Sequence, residues 1–171
     1  MSKRDLKKYL HQLDKQQLEE QILELYEKFP PVKTYYDFVF NPKEDKLVQE
    51  SKSKISNEYF PVKGKRPKAR RSVAQKYIKH FLTLGVDPFI IADVMLYNIE
   101  TAQKFAAKKL VKHDLFYKSM LNSFEQAISY LIENGILYEF KNRVMAINEE
   151  AAAQKWVTRF EFNAAVERFD N

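Results

Sequence analysis

Apolar positions recur along this chain at helical rather than strand spacing. Over 117–131, Tyr117, Met120, Leu121, Phe124, Ala127, Ile128 and Leu131 keep the i, i+3, i+4, i+7 rule, the strongest periodicity in the sequence. It predicts a helix over about 115–134, capped by Asp114 and stopped by Gly135. Leu18, Ile22, Leu25 and Phe29 predict another over about 15–28, opened by a capping box of Asp14 and Gln17. Ser2 with Asp5 reads as a second box, ahead of a short helix at about 3–12. Pro30-Pro31 ends the helix at 15–28, and 34–40 reads as a short aromatic helix. Asn41-Pro42 reads as cap and first-turn proline, with Glu44 completing a box, for a thinly apolar helix over about 42–58.

The pattern continues beyond a loop at 60–67 bounded by Pro61 and Pro67. Gly85 closes a helix that begins at Lys68 or at Ser72, where Gln75 would be the box partner. Asp87-Pro88 opens one over about 88–110, dense enough in Phe89, Ile90, Ile91, Val94, Met95 and Ile99 to be largely buried. Residues 136–169 supply one or two more; 156–162 alternates as a strand would, but it would be a strand without a partner, so helix is the reading. The fold class is therefore all-α, with seven or eight helices in successive antiparallel hairpins, as a bundle or a short right-handed array. A single domain over 1–171 is expected, with a small N-terminal lobe at 1–60, a basic connector at 60–71 and a helical core at 72–171.

Composition supports this outline. Gly and Pro together number nine, where average usage would give about twenty, so helix breakers are scarce. With no Cys, the chain has no disulfide, thiolate metal site or Cys nucleophile, which fits a reducing compartment. Uninterrupted apolar runs reach about four residues, far short of the ~20 that cross a bilayer. The expectation is a cytoplasmic protein without a membrane partner.

Charge changes the picture more. Over 59–86 there is no Asp or Glu, yet there are eight cations: Lys63, Lys65, Arg66, Lys68, Arg70, Arg71, Lys76 and Lys79. The whole chain carries +6, so the rest of it sums to −2 and the positive charge is a local patch. Cations at a helix start run against the backbone dipole, where stability alone would place Asp or Glu. Such a turn suits an anion such as phosphate. The competing reading is a solvated loop paired with Glu44, Asp45 or Glu50. Few aromatics flank the patch (Tyr59, Phe60 and Tyr77), so base-specific readout is not implied.

A second feature is the uncharged face of the 115–134 helix: Ser119, Asn122, Ser123, Gln126 and Ser129. Together with Asn98 and Thr101 it is a candidate groove, since charge would be costly to bury there; an ordinary exposed stripe is the plainer reading. Catalytic and metal signatures fail. Around Gly64-Lys65 the P-loop positions hold Tyr59 and Arg66, and none of the three His belongs to a His-x-x-x-His or Glu-x-x-His pattern. No catalytic residue, metal or cofactor is expected.

The stretches SKRDLKKYL (2–10), YYDFVFNP (35–42), RRSVAQK (70–76), VMLYNIE (94–100) and FYKSMLNSFEQA (116–127) resemble a family of uncharacterised bacterial proteins of about this length. The resemblance implies a bacterial, cytoplasmic protein and supplies no site residue. The functional expectation is a non-enzymatic helical binding module whose partner is another protein or a polyanion, with an RNA- or DNA-backbone-binding protein as the alternative.

Overall fold

The computed structural model describes residues 2–62, 65–109 and 111–168. Among them nine helices and no strand form: α1 (Lys3–Leu10), α2 (Lys15–Lys28), α3 (Pro30–Phe40), α4 (Glu44–Tyr59), α5 (Arg71–Leu84), α6 (Pro88–Lys108), α7 (Asp114–Glu133), α8 (Leu137–Ala153) and α9 (Arg159–Glu167). The all-helical expectation holds, with nine helices where seven or eight were read. The tail, read as one or two helices, breaks at 154–158 into two, α8 and α9.

Local chemistry explains most boundaries. Both N-terminal capping boxes form: Ser2 Oγ accepts from Asp5 N (3.3 Å) and Asp14 Oδ1 from Gln17 N (2.8 Å). Asp87 Oδ1 accepts from Phe89 N (2.8 Å), and Gly85, at φ +70°, closes α5 in the left-handed region. Four expectations are corrected. Asp114 is the first residue of α7 rather than its cap, His113 holding the cap position with no side-chain cap bond. Pro30-Pro31 occupies the first turn of α3 rather than merely ending α2, because a first-turn proline gives up no helical hydrogen bond. Asn41 is the C-terminal cap of α3, and Glu44 accepts from Asp87 N (3.3 Å) instead of completing a box. No Ser72–Gln75 box forms: α5 starts one residue earlier, with Arg70 in the cap position and no side chain capping it.

The chain divides into two compact units, 1–43 and 44–171. In the first, Gln21 Nε2 donates to Tyr9 Oη (2.6 Å), joining α1 to α2, and Tyr26 Oη donates to Asp37 Oδ1 (2.7 Å), joining α2 to α3. None of the side chains in these three helices is buried.

The second unit is organised around α6, which packs against α4, α5, α7 and α8. Eleven of its residues are buried, including Asn98, Thr101 and Gln103, so it is covered on most sides. These three make hydrogen bonds: Tyr59 Oη donates to Asn98 Oδ1 (3.1 Å), Thr101 Oγ1 to the Tyr97 carbonyl (2.7 Å) and Gln103 Nε2 to the Ile147 carbonyl (2.7 Å), while Asn98 Nδ2 is buried without a partner among the described residues. Phe124 of α7 stacks on Phe162 of α9 at 4.7 Å, which closes the far side of the core. An ion network ties three helices together, with Asp93 of α6 between Lys52 of α4 (2.5 Å) and Arg143 of α8 (2.7 Å), and Arg143 also on Glu100 (2.5 Å). Burial alone would raise the Asp93 carboxyl; the hydrogen bonds from Lys52 and Arg143 outweigh it and hold the group below its ordinary range.

Candidate functional site

After α4 the chain reaches α5 through a strap, described at 61–62 and 65–70, that one residue fastens. The carbonyl of Glu58 accepts from Lys68 N (3.0 Å) and Ala69 N (2.9 Å), and its carboxylate takes a bidentate pair from Arg70 Nε and Nη2, both at 2.9 Å. The Arg70 hydrogen bond holds the Glu58 carboxyl below its ordinary range, and Lys68 adds a smaller pull. Ala69 turns the strap into α5 at φ +48°, a left-handed conformation that costs an L-residue about 1–2 kcal/mol.

Between α4, the strap and α5 lies a groove of about 700 Å³. α4 contributes Lys54, Asn57 and Glu58; the strap contributes Pro61, Val62, Lys65, Arg66 and Lys68; α5 contributes Ser72, Val73, Lys76 and Tyr77. The four α5 residues share a broad face because Ser72 and Lys76, and Val73 and Tyr77, stand four apart and Val73 and Lys76 three apart. Five cations therefore line the groove, all exposed, and among the described residues none of them makes a salt bridge. The lone carboxylate lining it, Glu58, is already engaged by Arg70.

The candidate residues divide into three groups. Lys65, Arg66, Lys68 and Lys76 line the groove, and Lys79 is exposed one turn further along α5 without lining it. Lys63 lies outside the described residues. Arg70 and Arg71 are engaged by the fold. Arg70 pairs with Glu58, and Arg71 reaches α7, donating from Nε to Ser123 Oγ (2.7 Å) and from Nη2 to Gln126 Oε1 (2.6 Å). Burial holds the Arg71 guanidinium below its ordinary range. The acidic residues weighed as partners of the patch take other roles: Glu44 accepts from Asp87 N and Glu50 accepts from Tyr77 Oη (3.3 Å).

The uncharged face of α7 is thus where Arg71 lands. Asn122, Gln126 and Ser129 line a shallow α5–α7 groove, but Asn98 and Thr101 do not meet it. Both are buried in α6, Asn98 accepting from Tyr59 of α4 and Thr101 donating within α6 to the Tyr97 carbonyl, because a helix packed against four others turns its polar positions inward too. Ser119 donates to the Phe116 carbonyl (2.7 Å).

Reading the sequence missed Lys54 and Asn57 because they stand in α4, outside the acid-free window and amid alternating Lys and Glu. Glu58, one residue before that window, carried no signal that it fastens the strap. Among the described residues no cluster of three or more His, Asp or Glu is placed to hold a metal, and no helix is long and apolar enough to cross a membrane.

Neither the curated proteins nor the solved structures include a match to this chain. A family model does match it, over residues 1–170. The chain that folds this groove between α4 and α5 belongs to the Family of unknown function (DUF6155).

Proposed function

We propose that this chain is a non-enzymatic helical binding module whose groove between α4, the strap and α5 holds a polyanion. The observation that carries the reading is the charge balance of that groove: five exposed cations line it, and its one carboxylate is taken up by Arg70. Such a surface lowers the free energy of phosphate-bearing chains without reading base sequence. The uncapped start of α5 adds free backbone N–H groups beside Ser72, on the same side as Lys76. Acid–base chemistry is disfavoured there, since a carboxylate held by a bidentate arginine is a poor proton acceptor. The cysteine-free composition and the resemblance to bacterial sequences support a bacterial, cytoplasmic setting for this reading.

The test is fluorescence anisotropy of a labelled 12-nucleotide single-stranded RNA at 50 mM salt. Replacing Lys54, Lys65, Arg66, Lys68 and Lys76 together by Gln is expected to weaken binding by about a hundredfold, with unchanged helicity. Equal affinity in wild type and variant would reduce the patch to a solubility surface.

A second reading, a protein partner, is carried by the first unit. Among the described residues, nine of the seventeen large exposed hydrophobics fall in this unit, Phe40 being 81% exposed. Ile22, Leu23, Tyr26, Tyr36 and Phe40 line a cleft of about 720 Å³ whose charged lining residues are Glu19 and Asp37. An apolar cleft with an acidic rim suits an amphipathic helix with basic flanks. An 18-residue Leu/Lys helical peptide is expected to bind the full chain, and Leu23→Asp with Phe40→Asp to abolish binding. Equal binding of a Leu/Glu peptide would remove the reading.

A further inference from the structure

We infer that the α4–strap–α5 groove is shaped for a nucleotidyl unit, phosphate joined to a flat apolar ring, rather than for bare phosphate or a duplex. This deepens the polyanion reading and rests on it.

Size is the first argument. At about 700 Å³ the recess falls in the range of small-molecule sites. A duplex is a convex cylinder with its bases turned inward, and it would touch only the rim. A mononucleotide, or one or two units of a single strand, would enter.

Lining chemistry is the second. Bare phosphate would need only donors and charge, yet Pro61, Val62, Val73 and Tyr77 give the groove an apolar wall among the cations. Val62 is 71% exposed, a β-branched side chain left in water at the lip of a charged recess. The Tyr77 ring is half-buried and held in place, edge-on to Phe81 at 6.4 Å and tied through its hydroxyl to Glu50 at 3.3 Å. A ring so fixed loses little rotamer freedom on binding, which favours packing against a base.

Neutral polar groups are the third. Asn57 and Ser72 line the same groove, are exposed, and their side chains have no hydrogen-bond partner among the described residues. An amide that both donates and accepts matches a base edge or a sugar hydroxyl; it adds little to a purely ionic site. Charge, apolar wall and amide together match the three parts of a nucleotide.

The experiment is isothermal titration of the full chain at 100 mM salt with four probes: adenosine triphosphate, inorganic tripolyphosphate, a single-stranded adenosine hexanucleotide and a 12-base-pair duplex. Adenosine triphosphate is expected to bind about tenfold tighter than tripolyphosphate, whose charge is similar. Val73→Ser with Tyr77→Ala is expected to erase that difference and leave tripolyphosphate within twofold. Tyr77→Phe keeps the ring without its hydroxyl and is expected to retain the preference, should the double variant fold poorly. Tighter binding of the hexanucleotide than of the triphosphate supports the inference with a strand as the source, and the reverse supports it with a free nucleotide. Equal affinity for triphosphate and tripolyphosphate, or a duplex that outcompetes all three, overturns the inference while the polyanion reading stands. Failure of every probe, with the five-cation variant titrating like wild type, removes both.

Discussion

Glu58 accepts four hydrogen bonds from the strap, two on its carbonyl and two on its carboxylate. A residue so used is a fastener, and its titration has a definite sign. Its carboxyl is depressed by the Arg70 hydrogen bond, so its contribution is fully present above the ordinary Glu pKa of about 4.3 and is lost as pH falls through the lower folded value. Between pH 5 and 8 the strap is expected to stay equally protected, with amide exchange at 65–70 quickening below about pH 4. Glu58→Gln should bring that fast exchange to neutral pH, remove the acid-side change and lower Tm by about 2–4 °C. Exchange mapping of wild type and variant checks all three, and a strap unmoved by Glu58→Gln would show that its backbone bonds alone suffice. The same scale limits what a sequence can tell. Lys63 through Lys79 were visible as a run of like charge, whereas the roles of Arg70 and Arg71 depend on Glu58, Ser123 and Gln126, which are 12, 52 and 55 residues away.

α5 presents two faces to two different tasks. Ala74, Ile78, Phe81 and Leu84 are buried against its neighbours, while Ser72, Val73, Lys76 and Tyr77 face the groove. Val73 and Tyr77 are half-buried at the edge of the core, because the buried stripe runs through Ala74 and Ile78, one position later. Arg71 serves the packing side by joining α5 to α7, and Lys76 serves the binding side. Arg71→Gln is accordingly expected to lower Tm by about 2–4 °C and change RNA affinity less than twofold. Lys76→Gln should do the reverse, leaving Tm in place and weakening RNA binding about threefold. Thermal melts beside anisotropy separate the two, and an affinity loss in Arg71→Gln with Tm unchanged would move Arg71 into the groove.

The molecule as a whole is two units of contrasting build. The second has a central helix, stacked aromatics and an ion network; the first has three short helices whose apolar side chains all remain partly in water. Small helical segments bury too little to offset their ordering entropy, so the first unit suits association better than independent stability. At this scale binding should depend on salt. With five cations in one groove, log K for single-stranded RNA should fall against log salt with a slope of up to about −3.5. The five-cation variant should flatten the slope toward zero, and an unchanged slope would place the contacts elsewhere. The sequence alone determined that the chain is helical, where most helices start and stop, and that its positive charge is concentrated in one stretch. These follow from interactions within three or four residues, the reach of a cap, a proline, a glycine or a helical period. Tertiary structure decided which cations remain unpaired, that α4 supplies the opposite wall of the groove, and that Asn98 and Thr101 turn into the core. Those outcomes depend on which distant carboxylate, hydroxyl or helix each side chain meets, and packing sets that meeting where spacing along one strand of sequence does not.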